Sequence, residues 1–288
     1  MSDVELGLHR PAGSSSGDGY LLDVSPETAG WRYSGLRVVA LGAGQGCQLD
    51  TGEDEVVVLP LAGACTVAAG RDRAVLTGRD SVFEGVTDVA YVPRETELTL
   101  TSNSGGRFAL ASARAASRHQ FRHVRADEVR VELRGAGNCS RQVNNFATPD
   151  LLDADRIIAC EVLTPGGNWS SYPPHKHDEQ RTGESELEEI YYFEVDGDGP
   201  AYQRVYGTGQ RPIDVLAEVR SGDVVLVPHG WHGPSMATPG YDLYFLNVMA
   251  GPGAREWLVC DDPAHAWVRE TWADQPVDPR LPLTDVRR

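Results

Sequence analysis

Two short stretches decide the fold of this chain: Glu189-Ile-Tyr-Tyr-Phe193 and Asp223-Val-Val-Leu-Val-Pro228. Both are rich in β-branched, aromatic or leucine residues and are bounded by turn-forming residues, which is typical of strands rather than helices. The same pair of stretches occurs earlier, as Glu55-Val-Val-Val-Leu59 and Asp88-Val-Ala-Tyr-Val-Pro93. The glutamate and the proline are 39 residues apart in the later copy and 38 in the earlier one. The sequence therefore predicts one β-rich unit that occurs twice.

Many short strands separated by turn signals predict an all-β sandwich or barrel with little helix, and the repeat predicts that it occurs twice. We expect two β-barrel domains of the jelly-roll type. The 288 residues are sufficient for two domains that each bury a core. We expect an N-terminal barrel over residues 1–150 and a C-terminal barrel over 151–288, joined in the polar stretch around residues 145–156. The best candidate for a helix starts at Asp262, an N-cap residue followed by proline, and continues to Trp272.

Charge and composition argue against several classes of partner. The formal net charge of −16 opposes binding to nucleic acids or anionic membranes. The sequence shows neither the run of about 20 apolar residues of a membrane-spanning helix nor the basic and apolar pattern of a secretory signal. The five cysteines are scattered and form no CxxC pair, unlike a disulfide framework or a structural zinc site. We expect a cytoplasmic protein that acts on a small molecule.

The strongest chemical signal is the pair His175 and His177. Residues two apart in a strand share one face at a spacing of about 7 Å, so both imidazoles can reach one ion. Glu189 begins the next clear strand and can return a carboxylate to that face, and His232 follows a turn at Gly230. Three imidazoles and one carboxylate suit one divalent metal ion, Zn or Mn, with Fe or Ni as alternatives.

Two alternatives to these ligands are Glu188 and His229. Strand alternation lets only one of Glu188 and Glu189 face inward, and Glu189 is the one that aligns with Glu55 in the repeat. We prefer His232 to His229, and we assign no role in the site to the remaining histidines, His9, His119, His123 and His265. The positions of the first copy that correspond to the histidine ligands carry Leu41, Ala43 and Glu97. The N-terminal barrel is therefore expected to be structural.

Longer segments around these residues resemble a known family. They are Trp169-Ser-Ser-Tyr-Pro-Pro-His-Lys-His-Asp178, Leu187-Glu-Glu-Ile-Tyr-Tyr192, Gln203-Arg-Val-Tyr206 and Gly240-Tyr-Asp-Leu-Tyr-Phe-Leu-Asn-Val-Met-Ala-Gly251. They resemble the 5-deoxy-glucuronate isomerases of myo-inositol catabolism, in the cupin superfamily. Ser25-Pro-Glu-Thr-Ala-Gly-Trp31, Leu61-Ala-Gly63 and Asp262-Pro-Ala-His-Ala-Trp267 extend the resemblance over nearly the whole chain. Two departures from the general cupin motifs are a longer interval before Glu189 and a His232 that comes one residue early.

The resemblance implies a bicupin that isomerises 5-deoxy-D-glucuronate, an aldehyde sugar acid, to the ketose acid 5-dehydro-2-deoxy-D-gluconate. It also implies a metal site made by His175, His177, Glu189 and His232. Other hypotheses use the same fold: a related uronate isomerase, an iron-dependent cupin dioxygenase, or a sugar-binding bicupin without activity. Two barrels with strand edges make a homodimer plausible.

Isomerisation also needs proton transfer and a cation for the substrate carboxylate. The candidates for general acid or base are residues on strands close in sequence to the ligands, namely Tyr172, Tyr191, Asp242 and Tyr244. Because a guanidinium binds a carboxylate through two parallel hydrogen bonds, Arg181 and Arg204 are the candidates for binding the uronate.

Overall fold

The structure is a computed structural model that describes residues 5–285. Its first ten strands are β1 (His9–Arg10), β2 (Tyr20–Val24), β3 (Ser34–Leu41), β4 (Gln45–Asp50), β5 (Asp54–Ala69), β6 (Asp72–Arg79), β7 (Val89–Val92), β8 (Glu97–Ser102), β9 (Gly106–Arg114) and β10 (Arg122–Val124). The other fourteen are β11 (Arg130–Arg134), β12 (Arg141–Ala147), β13 (Ile158–Thr164), β14 (Trp169–Ser170), β15 (His175–Lys176), β16 (Asp178–Arg181), β17 (Glu184–Glu186), β18 (Glu188–Val195), β19 (Ala201–Tyr206), β20 (Asp214–Val219), β21 (Val224–Val227), β22 (Trp231–Ala237), β23 (Leu243–Ala250) and β24 (Cys260–Asp261).

Helix is scarce in the described residues, as the sequence predicts. There are two single-turn α-helices, α1 (Glu5–Leu8) and α2 (Pro26–Ala29). The 3₁₀ helices are Ala126–Glu128, Gly137–Cys139, Asp196–Asp198 and Ala266–Asp274. The helix expected from Asp262 is thus a 3₁₀ helix that begins four residues later, because residues 263–265 form a turn in which His265 and Ala266 donate to the Asp262 carbonyl.

The N-terminal barrel is built around β5. One sheet runs β10-β7-β5-β9-β3-β2, while β5 also pairs with β6 and β8, and β8 pairs with β4. The sequence predicts a strand that ends near Gly63, but β5 bends there and continues to Ala69. Gly63 has a φ of 88°, and a Cβ at this position would lie 2.4 Å from the Gly105 carbonyl oxygen. Only glycine fits this corner, so one long strand belongs to both sheets of the barrel.

The C-terminal barrel consists of a seven-stranded sheet, β1-β21-β18-β23-β13-β12-β11, and a six-stranded sheet with the path β20-β19-β22-β15-β24, to which β14 is added at β22. The N-terminal strand β1 pairs with β21 of this barrel, and β11 and β12 also belong to it. Sheet membership therefore changes between β10 and β11, before the predicted boundary at residue 150. The division into folding domains at that residue stays a prediction.

Two carboxylates connect the barrels, the half-buried Glu188 and the buried Glu55. Glu188 of β18 accepts hydrogen bonds from the backbone N–H groups of Arg32, Tyr33 and Ser34, at 2.8, 2.8 and 3.0 Å. Glu55 of β5 accepts in the opposite direction, from the backbone of residues 155–157. One hydrophobic core extends through both halves, and a second, smaller core lies within the N-terminal barrel. Each barrel thus supplies a carboxylate that satisfies backbone donors at the junction with the other.

Candidate metal centre

Three of the four predicted ligands converge inside the C-terminal barrel. One ligand atom from each of His177, Glu189 and His232 lies within 4.8 Å of the other two, and all three side chains are buried. The strands explain this convergence: Glu189 lies opposite Val227, at the end of β21 that leads into the turn before His232. This group of two imidazoles and one carboxylate could hold a metal ion.

His175 lies beside this group rather than within it. Its backbone pairs with that of His232, and the two imidazole centroids are 4.6 Å apart. The ring of His177 lies on another side of His232, at 4.7 Å. Unlike the other two imidazoles, His175 is only half-buried, and it lines a cavity. His175 therefore lies between the buried group and this cavity.

The three imidazoles share one hydrogen-bonding pattern. In each, Nδ1 lies next to a backbone carbonyl oxygen: that of Pro173 for His175, of Leu187 for His177 and of Gly230 for His232, at 3.2, 3.2 and 3.3 Å. A ring that donates from Nδ1 carries its lone pair on Nε2, and such hydrogen bonds to backbone carbonyls are typical of metal-ligating histidines. The chain thus presents three Nε2 atoms as potential donors to a metal.

The carboxylate of Glu189 compensates the buried imidazoles. Its Oε2 lies 3.1 Å from Nε2 of both His177 and His232. Burial opposes its ionisation, but His232 and His177 outweigh this effect and lower the pKa of Glu189 to about 2. Burial and the neighbouring imidazoles hold the pKa of His175 well below 6.5. His232 Nε2 is buried and forms no aligned hydrogen bond, which leaves its lone pair for a metal ion.

The alternative ligands lie outside the group. The Glu188 carboxylate faces the N-terminal barrel and accepts the three backbone hydrogen bonds described above. His229 is half-buried, and burial together with the charge of Arg211 lowers its pKa. Of the histidines without an assigned role, His9 and His123 bind Asp223 and Asp88 respectively.

Tyr191 and Tyr172 are the candidate acid–base residues nearest the ligands. Tyr191 is two residues from Glu189 on β18, and its ring centroid is 6.1 Å from that of His232. Its hydroxyl lies 3.2 Å from the hydroxyl of Ser171. Tyr172 is half-buried and contacts the ring of Trp169, with centroids 5.5 Å apart.

The structure does not bring Asp242 and Tyr244 to the ligands. On β23, Met249 is the residue opposite Glu189, and at strand spacing Tyr244 is about 17 Å and Asp242 more than about 20 Å further along. Asp242 accepts a hydrogen bond from the Gly166 backbone at 2.8 Å. The Tyr244 hydroxyl donates to Glu161 at 2.7 Å, within a buried ion pair between Glu161 and Arg79. Both side chains therefore have structural partners.

The two predicted uronate-binding arginines also have partners within the chain. Arg181 lies in the β16–β17 hairpin, where its Nη2 is 2.6 Å from the Glu184 carboxylate. Arg204 forms an ion pair with Asp214 and donates to the Val205 and Val215 carbonyls at 3.1 and 3.0 Å. Neither guanidinium is brought to the His–Glu group.

Sequence reasoning missed a cluster of arginines beside His175. A cavity of about 350 Å³ is lined by Arg134, Arg141, His175, Trp257, Val259, Asp261 and Arg269. No local motif marks these arginines, since they come from β11, β12 and the 3₁₀ helix Ala266–Asp274. The sequence carried a weak signal for Arg269, because Arg269 and Trp272 come shortly after Asp262-Pro-Ala-His-Ala-Trp267, a segment that resembles the family.

This architecture, two β-barrels with a His–Glu group inside the second, is that of a bicupin. Solved oxalate decarboxylases share the fold: the enzyme of Lactobacillus farciminis, solved as a formate complex, superposes with a TM-score of 0.63 over 91% of this chain and 89% of that one, at 12% identity. At that identity the likeness concerns the fold alone. Within the described residues, no helix is long and apolar enough to cross a membrane.

The chain belongs to the KduI/IolB family, whose profile it matches over residues 8–268. It is 42% identical to the 5-deoxy-glucuronate isomerase of Geobacillus kaustophilus, over 91% of this chain and 95% of the relative. It is 35% identical to the enzyme of that name from Bacillus subtilis strain 168, over 91% and 98%. The crystal structure of an IolB-like protein from Salmonella typhimurium LT2 superposes with a TM-score of 0.85, at 37% identity, over 91% and 98%. The family, the fold and the isomerase class expected from the sequence are confirmed.

Proposed function

We propose that this chain is a metal-dependent aldose–ketose isomerase that converts 5-deoxy-D-glucuronate to 5-dehydro-2-deoxy-D-gluconate. The observation that carries the proposal is the group of three imidazoles and one carboxylate in which each Nδ1 lies beside a backbone carbonyl oxygen, so that Nε2 can bind a metal, in a chain 42% identical to isomerases of that name. The reaction moves a carbonyl from C1 to C2, so one proton leaves C2 and one arrives at C1.

The proposed metal ligands are His177, Glu189 and His232, with His175 as the fourth. A divalent ion held there would act as a Lewis acid toward the two adjacent substrate oxygens. Imidazole and carboxylate donors suit Zn and Mn, and also Fe and Ni. The carbonyl partners at Nδ1 fix the plane of each imidazole, and the side chains of His177, Glu189 and His232 are buried away from bulk water.

Tyr191 is the residue we propose as proton donor to a substrate oxygen. Burial and the charge of Glu189 raise its pKa well above 10, so the hydroxyl keeps its proton at neutral pH and cannot serve as a base. Ser171 positions this hydroxyl from 3.2 Å. Ser171 is itself held in place by the ligand strand, because Gly233, next to His232, packs against its carbonyl so closely that a Cβ would lie 1.8 Å away.

Substitution Tyr191→Phe is expected to lower kcat by about 10²-fold, the typical contribution of one positioned acid or base. KM and the metal content should stay near those of the wild type, because the hydroxyl is not a proposed ligand. The matched control is Tyr192→Phe, which removes a hydroxyl from the opposite face of β18, where it donates to Glu194 at 2.9 Å. Equal losses of kcat in the two variants would contradict the assignment.

Activity is tested by metal analysis of the purified protein together with NMR of 5-deoxy-D-glucuronate. We expect loss of the aldehyde proton signal, appearance of a ketone carbon signal, and inhibition by a chelator that the added ion reverses. Oxygen uptake by the iron-loaded protein without isomerisation would favour a cupin dioxygenase instead. Binding without turnover would indicate a sugar-binding bicupin. The homodimer and the cytoplasmic location stay predictions.

A further inference from the structure

The cavity beside His175 is built from distant parts of the chain. β11 and β12 pair so that Arg134 lies directly opposite Arg141. On another wall, β15 places His175 between His232 on β22 and Asp261 on β24. The metal group thus adjoins the cavity through His175, and the arginines of β11 and β12 form a separate part of its lining.

Two of the three guanidinium groups in the cavity already have carboxylate partners. Arg134 forms two parallel hydrogen bonds with Glu132, at 3.0 and 2.9 Å. Arg269 binds the Asp261 carboxylate through Nε and Nη2, the latter at 2.7 Å. Both pairs are therefore neutral overall.

Arg141 is different, because within residues 5–285 it has no carboxylate at ion-pair distance. Its side chain is buried, with 4% of the residue surface exposed, and the structure gives it one hydrogen bond, from Nη1 to the Cys139 carbonyl at 3.0 Å. A buried unpaired charge is unfavourable unless a ligand completes the pair. The lining of the cavity therefore carries one guanidinium that has no ion-pair partner in the described chain.

The surroundings of Arg141 favour the binding of an anion. Burial, together with the charges of Arg134 and Arg269, lowers its pKa to about 9, an effect that a bound anion would reverse. The ring of Trp272 contacts both Arg141 and Arg269, with guanidinium carbons 5.6 and 5.0 Å from its centroid. This contact fixes the guanidinium planes, and a fixed plane favours two-point binding of a carboxylate.

We propose that Arg141 binds the carboxylate of the substrate, in a cavity that the ion-paired Arg134 and Arg269 also line. This inference rests on the proposed function, which supplies an open-chain uronate as the substrate. Such a molecule has its aldehyde and its carboxylate at opposite ends. The cavity is lined by His175, next to the proposed metal group, which can bind the aldehyde end. It is also lined by the unpaired guanidinium of Arg141, which can bind the carboxylate end. The assignment replaces Arg181 and Arg204, whose charges are already neutralised.

The test compares charged and neutral ligands on the metal-loaded enzyme. Arg141→Gln should raise KM for 5-deoxy-D-glucuronate by about 10- to 100-fold, the loss typical of a hydrogen bond to a charged group. Inhibition by D-glucuronate should weaken by a similar factor, whereas inhibition by the neutral D-glucuronamide should not change. Arg141→Lys keeps the charge without the planar fork and should give an intermediate KM. The matched control is Arg130→Gln on the neighbouring strand β11, which removes an exposed arginine paired with Asp150 and should leave KM unchanged.

The outcomes separate this inference from the proposed function. If the wild type produces no ketose, the proposed function fails, and calorimetry with D-glucuronate and D-glucuronamide still tests the site. Wild-type protein that binds both with equal affinity would overturn the inference, and this measurement does not depend on the folding of any variant. A folded Arg141→Gln enzyme with wild-type KM would also overturn the inference. A selective loss of D-glucuronate inhibition in Arg204→Gln, without such a loss in Arg141→Gln, would assign carboxylate binding to Arg204 instead.

Discussion

The His177→Ala protein is expected to lose its bound metal and at least about 10³-fold in turnover, because metal-ion catalysis supplies several kcal/mol of transition-state stabilisation. The His177 imidazole contacts Glu189 through Nε2, at 3.1 Å, and its Nδ1 lies 3.2 Å from the Leu187 carbonyl oxygen. Its removal leaves the buried Glu189 carboxylate with one imidazole partner. A neutral methyl group cannot replace the Nε2 donor, so the remaining ligands should hold the ion weakly.

Metal content per chain, measured after dialysis, and kcat by NMR check this expectation together. The matched control is His229→Ala, which removes a histidine of the same barrel that lies outside the ligand group and should retain metal and turnover. A His177→Ala protein that is free of metal but turns over at the wild-type rate would refute the proposed centre. Metal loss in His229→Ala with retention in His177→Ala would assign the ligand to the other histidine.

The convergence of His177, Glu189 and His232 could be predicted from the sequence because strand geometry is local. Residues two apart share a face, and the repeat identified Glu189 rather than Glu188 as the inward carboxylate. The structure places Glu188 on the opposite side, toward residues 32–34. The alternation of side chains along a strand was therefore sufficient to predict on which face of the sheet each residue lies.

Position along a strand was harder to predict, and this explains the misplaced acid–base candidates. Asp242 and Tyr244 are close in sequence to the end of β22, but the site lies at the far end of β23, where Met249 is opposite Glu189. Each residue of an extended strand adds about 3.3 Å, so a side chain only a few residues further along β23 is too distant to contact the site. The register of β18 with β23 is a tertiary property.

Arginine partners were unpredictable for a related reason. Arg204 pairs with Asp214 across a hairpin, whereas Arg141 contacts Trp272, which is 131 positions later. Which guanidinium is already neutralised depends on the packing of distant strands. Sequence proximity to the histidines therefore favoured Arg181 and Arg204 over the arginine that remains unpaired.

The repeat predicted both barrels but not how they are joined. Strands β1, β11 and β12 pair with the C-terminal sheet because that sheet offers edges, and edge pairing depends on the assembled fold. The two repeated glutamates also differ in the groups that they contact. Glu189 faces imidazoles, whereas Glu55, its counterpart, faces the backbone that connects the barrels.

Substitution Glu55→Ala is expected to lower the free energy of unfolding by about 3–5 kcal/mol, the range for breaking a buried charged network. Glu55 is fully buried. Its Oε1 accepts from the N–H groups of Arg156 and Ile157 at 2.6 and 2.7 Å, and its Oε2 accepts from Asp155 N–H at 2.8 Å and from the Tyr91 hydroxyl at 2.7 Å. Removal of the carboxylate leaves four donors without an acceptor, and each unsatisfied buried donor costs about 1–3 kcal/mol before relaxation.

Urea unfolding followed by circular dichroism measures this loss, with Glu53→Ala as the matched control. Glu53 is two residues away, its side chain is 69% exposed and it pairs with Arg114, so its replacement should cost less than about 1 kcal/mol. Glu55→Gln should fall between the two, because its carbonyl can still accept from Arg156 and Ile157 while its amide opposes the other two donors. Since Glu55 lies in the barrel without ligands, folded Glu55→Gln should retain its metal, whereas Glu189→Gln should lose metal. Loss of metal in both, or unchanged stability in Glu55→Ala, would contradict the division of roles between the two repeated glutamates.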